Sequence, residues 1–130
     1  MIKINFIFII IALSFANAED DKGLSHFKKG EFDKAIQYYE STLGQGGSED
    51  KAHFGIGTSA LSQGNVEMAM DAFERALNTE DDALKAKAYY NMGNALFNAK
   101  RNEESLAFFR KALELNPDDT DAKYNYEMIR

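Results

Sequence analysis

The chain has no cysteine and only two histidines in 130 residues. The first absence excludes a disulfide framework, thiol chemistry and any thiolate metal site. The second leaves His26 and His53 far apart and without ligand-spaced companions, so no zinc site is expected. Basic residues are in the minority, 15 Lys and Arg against 21 Asp and Glu, for a net charge of −6. So acidic a chain is a poor match for nucleic acid, where phosphate neutralisation dominates affinity. The paired acids Asp81-Asp82, Glu103-Glu104 and Asp118-Asp119 lack the glycine that a calcium loop places at its sixth position. They suit helix starts instead, where the macrodipole favours negative charge. The glycine-rich stretch Gly44 to Ser48 has no strand before it and no Gly-Lys ending, so it reads as a turn rather than a phosphate cradle. No serine, histidine and acid arrangement stands out. Neither an enzyme nor a cofactor is expected.

Long apolar runs are also scarce. One exists, Ile4 to Phe15, after Lys3 and before Ala16-Asn17-Ala18. At about 12 residues it is shorter than the roughly 20 that cross a bilayer. The flanks match a signal peptide with a small-x-small cleavage site, so residues 1–18 are expected to be removed and the rest exported, with no membrane span. With no cysteine after the run, a lipid-modified N-terminus is excluded. Removal takes Lys3 with it, shifting the net charge from −6 to −7.

What the chain does have is helical patterning. From Tyr89 to Pro117 large apolar residues fall at Tyr89, Met92, Leu96 and Phe97, then at Leu106, Phe109 and Leu113, on one face of each of two helices. Between them stand small residues, Gly93, Ser105 and Ala112, where two backbones must come close. Neither helix buries its face alone, so this hairpin needs neighbours. The order Tyr-x-x-Met-Gly, Leu96, Ser105, Phe109, Ala112-Leu113 and Pro117 resembles a tetratricopeptide repeat, whose pattern over about 34 residues is W-x-x-L-G-x-x-Y, A-x-x-x-F-x-x-A-L, P. The resemblance implies an all-α fold, a right-handed α-solenoid of stacked hairpins. Their first helices would line a concave groove that holds a peptide or a partner's helix.

The same register recurs along the chain. Gly23 and Gly57, Gly30 and Gly64, Ala35 and Ala69, Tyr39 and Phe73, and Leu43 and Leu77 all pair at one constant offset, 34. The third copy follows at 36, from Gly57 to Gly93, with the extra length in Thr79 to Asp82. Its inner turn departs from the family, carrying Lys100 and Asn102 where glycine and an aromatic are usual. After Pro117, Ala122 to Tyr126 repeats Ala88 to Met92 at 34, a first helix with no second. The organisation read from this is a signal peptide at 1–18 and one domain at 19–130, with repeats at about 19–46, 49–80 and 83–117 and a capping helix at about 119–130. The first half-repeat is short and is expected to act as a mobile cap rather than a groove wall. Gly57 is expected to pack against its partner helix. Gly55 has no such reason and is placed on the groove side. Tyr126 and Ile129 are expected to remain partly bare.

The resemblance places the groove on the first helices. Phe54, Thr58, Leu61 and Ser62 would face it in the second copy; Lys87, Tyr90, Asn91, Asn94, Phe97 and Asn98 in the third; Tyr124, Asn125 and Met128 in the cap. An amide both donates and accepts, so a row of asparagines can pair with an extended peptide's backbone whatever its sequence. Tyr90, Tyr124 and Phe54 would add apolar area. Relatives that clamp a C-terminal carboxylate use lysine, asparagine and arginine at set positions. Here Phe54 and Tyr90 stand where the first clamp lysine would be, and Asn91 replaces the arginine; only Lys87, Asn94 and Asn125 can be matched. The expected function is therefore protein or peptide binding by other means, in a bacterial periplasm or at the envelope. The ending from Asn116 to Arg130 is similar to small envelope repeat proteins, including those of aerotolerance operons. The alternative is a structural subunit that self-associates through its C-terminal face.

Overall fold

The computed structural model describes residues 21–130, so the expected signal peptide lies outside the described residues. Within them the chain forms seven helices and no strand: α1 (Lys22–Lys28), α2 (Phe32–Thr42), α3 (Glu49–Ser62), α4 (Val66–Ala76), α5 (Asp82–Asn98), α6 (Asn102–Leu115) and α7 (Thr120–Ile129). Each helix packs on the next, giving three hairpins and a lone last helix. The first helices also touch one another, α1 on α3 and α3 on α5, so they form one layer and the second helices another.

Small residues at the predicted positions bring the two layers together. A Cβ on Gly57 would stand 2.7 Å from the Phe73 ring, and one on Gly93 would stand 2.7 Å from Phe109. Both rings are fully buried. Ser105, equivalent to Ala69 and Ala35, is buried as they are and donates its hydroxyl to the Gly93 carbonyl at 2.7 Å. Met92 and Leu96, each 1% exposed, complete the third hairpin's core. Burying a side chain of this size contributes about 2 kcal/mol, so these few positions hold much of the stack together.

The three inner turns share one geometry. In each, the residue at positive φ and the one after it donate back to the helix end: Gly30 to Phe27 O and Glu31 to His26 O, Gly64 to Leu61 O and Asn65 to Ala60 O, Lys100 to Phe97 O and Arg101 to Leu96 O. This pair of bonds satisfies carbonyls that the helix end would leave free. Gly30 and Gly64 adopt φ of 74° and 75°, and Lys100 is held at 60° in the same place. A side chain disfavours that conformation. The departure from the family pattern therefore leaves the turn intact and places strain on one lysine.

The two extra residues of the third copy lengthen its first helix. α5 has 17 residues where α3 has 14, and Asp81 caps it, accepting from the backbone N–H groups of Ala83 and Leu84 at 2.9 and 3.2 Å. Thr79, buried in the turn before it, donates to Asp50 on α3 at 2.6 Å and accepts from Asp81 N–H at 3.1 Å. The Ser48 hydroxyl binds the same Asp50 carboxylate. These bonds, Ser48 first and Thr79 second, pull the Asp50 carboxyl down to about 2.

Candidate functional site

An opening lies in the N-terminal half of the stack, between α1, α2, α3 and the start of α5. It is an apolar cavity of about 860 Å³. Leu24 and Phe27 of α1 form one wall, with the N-cap residue Asp21 beside them. Tyr38, Tyr39 and Thr42 of α2 form the floor, and Lys51, Phe54, Gly55 and Thr58 of α3 the opposite wall; Leu84 of α5 closes one end. The expectation that the first half-repeat is only a cap is thus corrected: short as it is, α1 supplies a wall, because the turn after it folds α2 back and holds its apolar side toward α3.

The second correction concerns Gly55. A Cβ there would collide with the ring of Tyr39, as would a Cβ on Gly23 from the other side. Gly55 therefore has a packing reason: the Tyr39 ring lies between two glycines of successive first helices. Its hydroxyl donates to the Asp21 carboxylate at 3.3 Å. Burial, reinforced by that carboxylate, pushes the phenol up to about 12. The same Asp21 oxygen accepts from Leu24 N–H at 2.9 Å, so one carboxylate both starts α1 and anchors the cavity floor.

The C-terminal half is built differently. Asn125 of α7 donates to Asn94 Oδ1 at 3.2 Å and lies 3.4 Å from the Tyr90 hydroxyl on α5. Three of the residues expected in the groove are thus brought together as a polar seam. Asn91 is half-buried on the same helix; Lys87 and Asn98 are exposed. Phe54 and Thr58 belong to the cavity instead, and none of the asparagines lines it. Phe54 and Tyr90 are partly core, packing on Phe73 and Phe109 with ring centroids 5.7 Å apart in both cases. The Thr58 hydroxyl donates to the Phe54 carbonyl one turn back at 2.9 Å.

As expected, Tyr126 and Ile129 of α7 remain partly bare, but they are not its most exposed apolar residues. Tyr126 and Ile129 are half-buried, and the Arg110 guanidinium reaches the Tyr126 hydroxyl at 3.3 Å; Tyr124 and Met128 are exposed, at 68% and 53%. Tyr124 holds the place of Phe54 and Tyr90, which pack on an aromatic of their own second helix. α7 has no second helix in this structure, so its tyrosine has nothing to cover it. The other residues on that side, Lys123, Glu127 and Arg130, are exposed and charged where α5 has Tyr89, Gly93 and Leu96.

Asp21, Leu24, Phe27, Tyr38, Tyr39, Thr42, Lys51 and Leu84 were not among the residues expected from sequence. The only signal for them was Gly55 itself, whose missing side chain makes room for a ring from another hairpin.

The arrangement matches the description Tetratricopeptide repeat twice, over residues 21–83 and 86–119. The two matches together span most of the chain, and the protein belongs to the tetratricopeptide-repeat family. No curated protein matches the sequence. Among solved structures, the Arabidopsis OM64 TPR domain is similar at 23% identity and a TM-score of 0.77, covering 90% of this chain and 95% of that one. The second TPR domain of human RPAP3, in complex with an HSP70 peptide, is similar at 22% identity and a TM-score of 0.75, covering 85% and 91%. The first TPR of Spaghetti (RPAP3), bound to an HSP90 peptide, is similar at 23% identity and a TM-score of 0.75, covering 84% and 85%. At these identities the likeness shows a shared all-α repeat fold.

Proposed function

We propose that this protein is an exported, non-enzymatic adaptor of the bacterial cell envelope that holds a segment of another protein along the layer formed by α1, α3, α5 and α7. The observation that carries this reading is the open apolar cavity of about 860 Å³ between the first helices, with the paired amides of Asn94 and Asn125 further along the same layer. A preformed surface of this kind reduces the ordering that binding costs, so shape and a few hydrogen bonds suffice. Two of its structural neighbours are peptide complexes, which is the mode of binding proposed. Export rests on the leader-like composition of residues 1–18, and recovery of the protein only in the cytoplasmic fraction sinks it; mass spectrometry of the N-terminus tests cleavage after Ala18, which an intact Met1 on the exported protein sinks.

The groove is tested by replacing Asn91 and Asn94 with alanine. Partner capture from an envelope extract should be lost while the melting temperature falls by no more than a few degrees, an amount set by two partly exposed hydrogen-bonding groups. Unchanged capture removes the asparagines from the site. The self-association reading rests on one observation, the exposed Tyr124 and Met128 of α7, which stand among the charges of Lys123, Glu127 and Arg130.

A further inference from the structure

Resting on that reading, the chemistry around the cavity narrows what it takes. Its walls are apolar and aromatic, and its one carboxylate, Asp21, is already engaged by the Tyr39 hydroxyl and the Leu24 N–H. The one other charged residue that lines it is a lysine. Lys51 lines the cavity, and Lys87 lies one turn beyond the cavity residue Leu84 on α5. The two lysines hold the same place in successive first helices, at the offset of 36 that also relates Gly57 to Gly93. Among the described residues neither forms an ion pair, although acids outnumber bases in the chain. A volume of about 860 Å³ is ample for a large side chain and part of the backbone that bears it.

We propose that the cavity seats a large aliphatic or aromatic side chain of an extended protein segment whose neighbouring carboxylates meet Lys51 and Lys87. The apolar side chain supplies affinity by burial, and the lysines choose among apolar segments by the charge that flanks them. An internal segment satisfies this, because the carboxylates that meet the lysines belong to side chains.

The test is selection of a random short-peptide library against the purified protein. Enriched peptides are then measured by fluorescence polarisation on the wild type and on the Lys51→Glu/Lys87→Glu double variant. Both lysines are exposed, so the variant should fold as the wild type does, which circular dichroism checks. The expected enrichment is an aliphatic or aromatic residue with acids close by in sequence. Affinity should fall about tenfold in the double variant, the sum of two rim contacts turned from attraction to repulsion, and should weaken with added salt in the wild type. Binders with basic or uncharged flanks, or equal affinity for the two proteins, overturn the inference while leaving the groove reading standing. Recovery of no binder at all overturns both. Binding that appears only after residues 1–18 are removed assigns the cavity to the chain's own leader and overturns the inference too.

Discussion

The two halves of the first-helix layer differ at one repeated position. Gly55, Asn91 and Asn125 stand at the same place in α3, α5 and α7. Where the residue is glycine, the ring of Tyr39 moves in from α2 and an apolar cavity lies open beside it. In α7 the residue is asparagine, and its amide bridges to Asn94 and Tyr90 and closes the seam between α5 and α7. The repeat scaffold is therefore indifferent to whether a seam is open or closed. A single side chain on the groove side decides it, and with it whether the surface offers burial or hydrogen bonds.

The largest expected effect tests whether the closed half is the rigid one. Phe109→Ala should cost about 4 kcal/mol, the upper range for truncating a buried aromatic. The ring is fully buried against Gly93, and its removal leaves a hole that two helices cannot close. Tyr39→Ala, which removes a half-buried ring beside an existing cavity, should cost about half as much. Urea denaturation of both measures the difference, and equal midpoints would erase the contrast between the halves.

Next in size is Gly55→Asn, which gives the open half the residue of the closed one. The new side chain collides with Tyr39. Overpacking of this kind should cost about 2 kcal/mol of stability, and peptide binding at the cavity should go with it. A variant that binds as before would show that the cavity does not depend on Gly55.

A smaller effect concerns the link between α3 and the turn into α5. The folded-state pKa of Asp50 is about 2, below the ordinary 3.8. Its contribution is therefore present above about pH 4 and is lost as the pH falls from about 4 to about 2. For a partly exposed group this amounts to about 1 kcal/mol. Asp50→Asn should remove that contribution at neutral pH and flatten the acid limb of the stability curve. A wild-type curve that is already flat over that range would remove the link.

The smallest effect is a gain. Lys100 holds a left-handed conformation that glycine adopts without strain. Lys100→Gly should raise stability by about 0.5 kcal/mol, since relief of that strain exceeds the added freedom of the unfolded chain. The same change gives the third turn the residue of the first two, and a loss of stability would show that its lysine is not strained.

Much of the fold was legible because its signals are local. The helix pairs follow from apolar spacing, and the order of the hairpins from a glycine that meets an aromatic in each one: Gly23 with Tyr39, Gly57 with Phe73, Gly93 with Phe109. The cavity was less legible. Tyr39 belongs to a second helix, which the repeat pattern assigns to the interior, and α1 is too short for its apolar residues to form a clear period. Tyr124 was expected on the groove face, but it is more exposed than Phe54 and Tyr90, since these equivalents pack on a helix that follows them and none follows α7 in this structure.

The sequence by itself determined which residues share a side of each helix, where the hairpins turn, and that small residues stand at the helix crossings, since all of these are set by spacing within one or two turns of backbone. Only the tertiary structure decided where the layer opens. That depends on a ring from one hairpin meeting a missing Cβ on the next, and on which charges nearby find partners. Such contacts join residues that no local period relates.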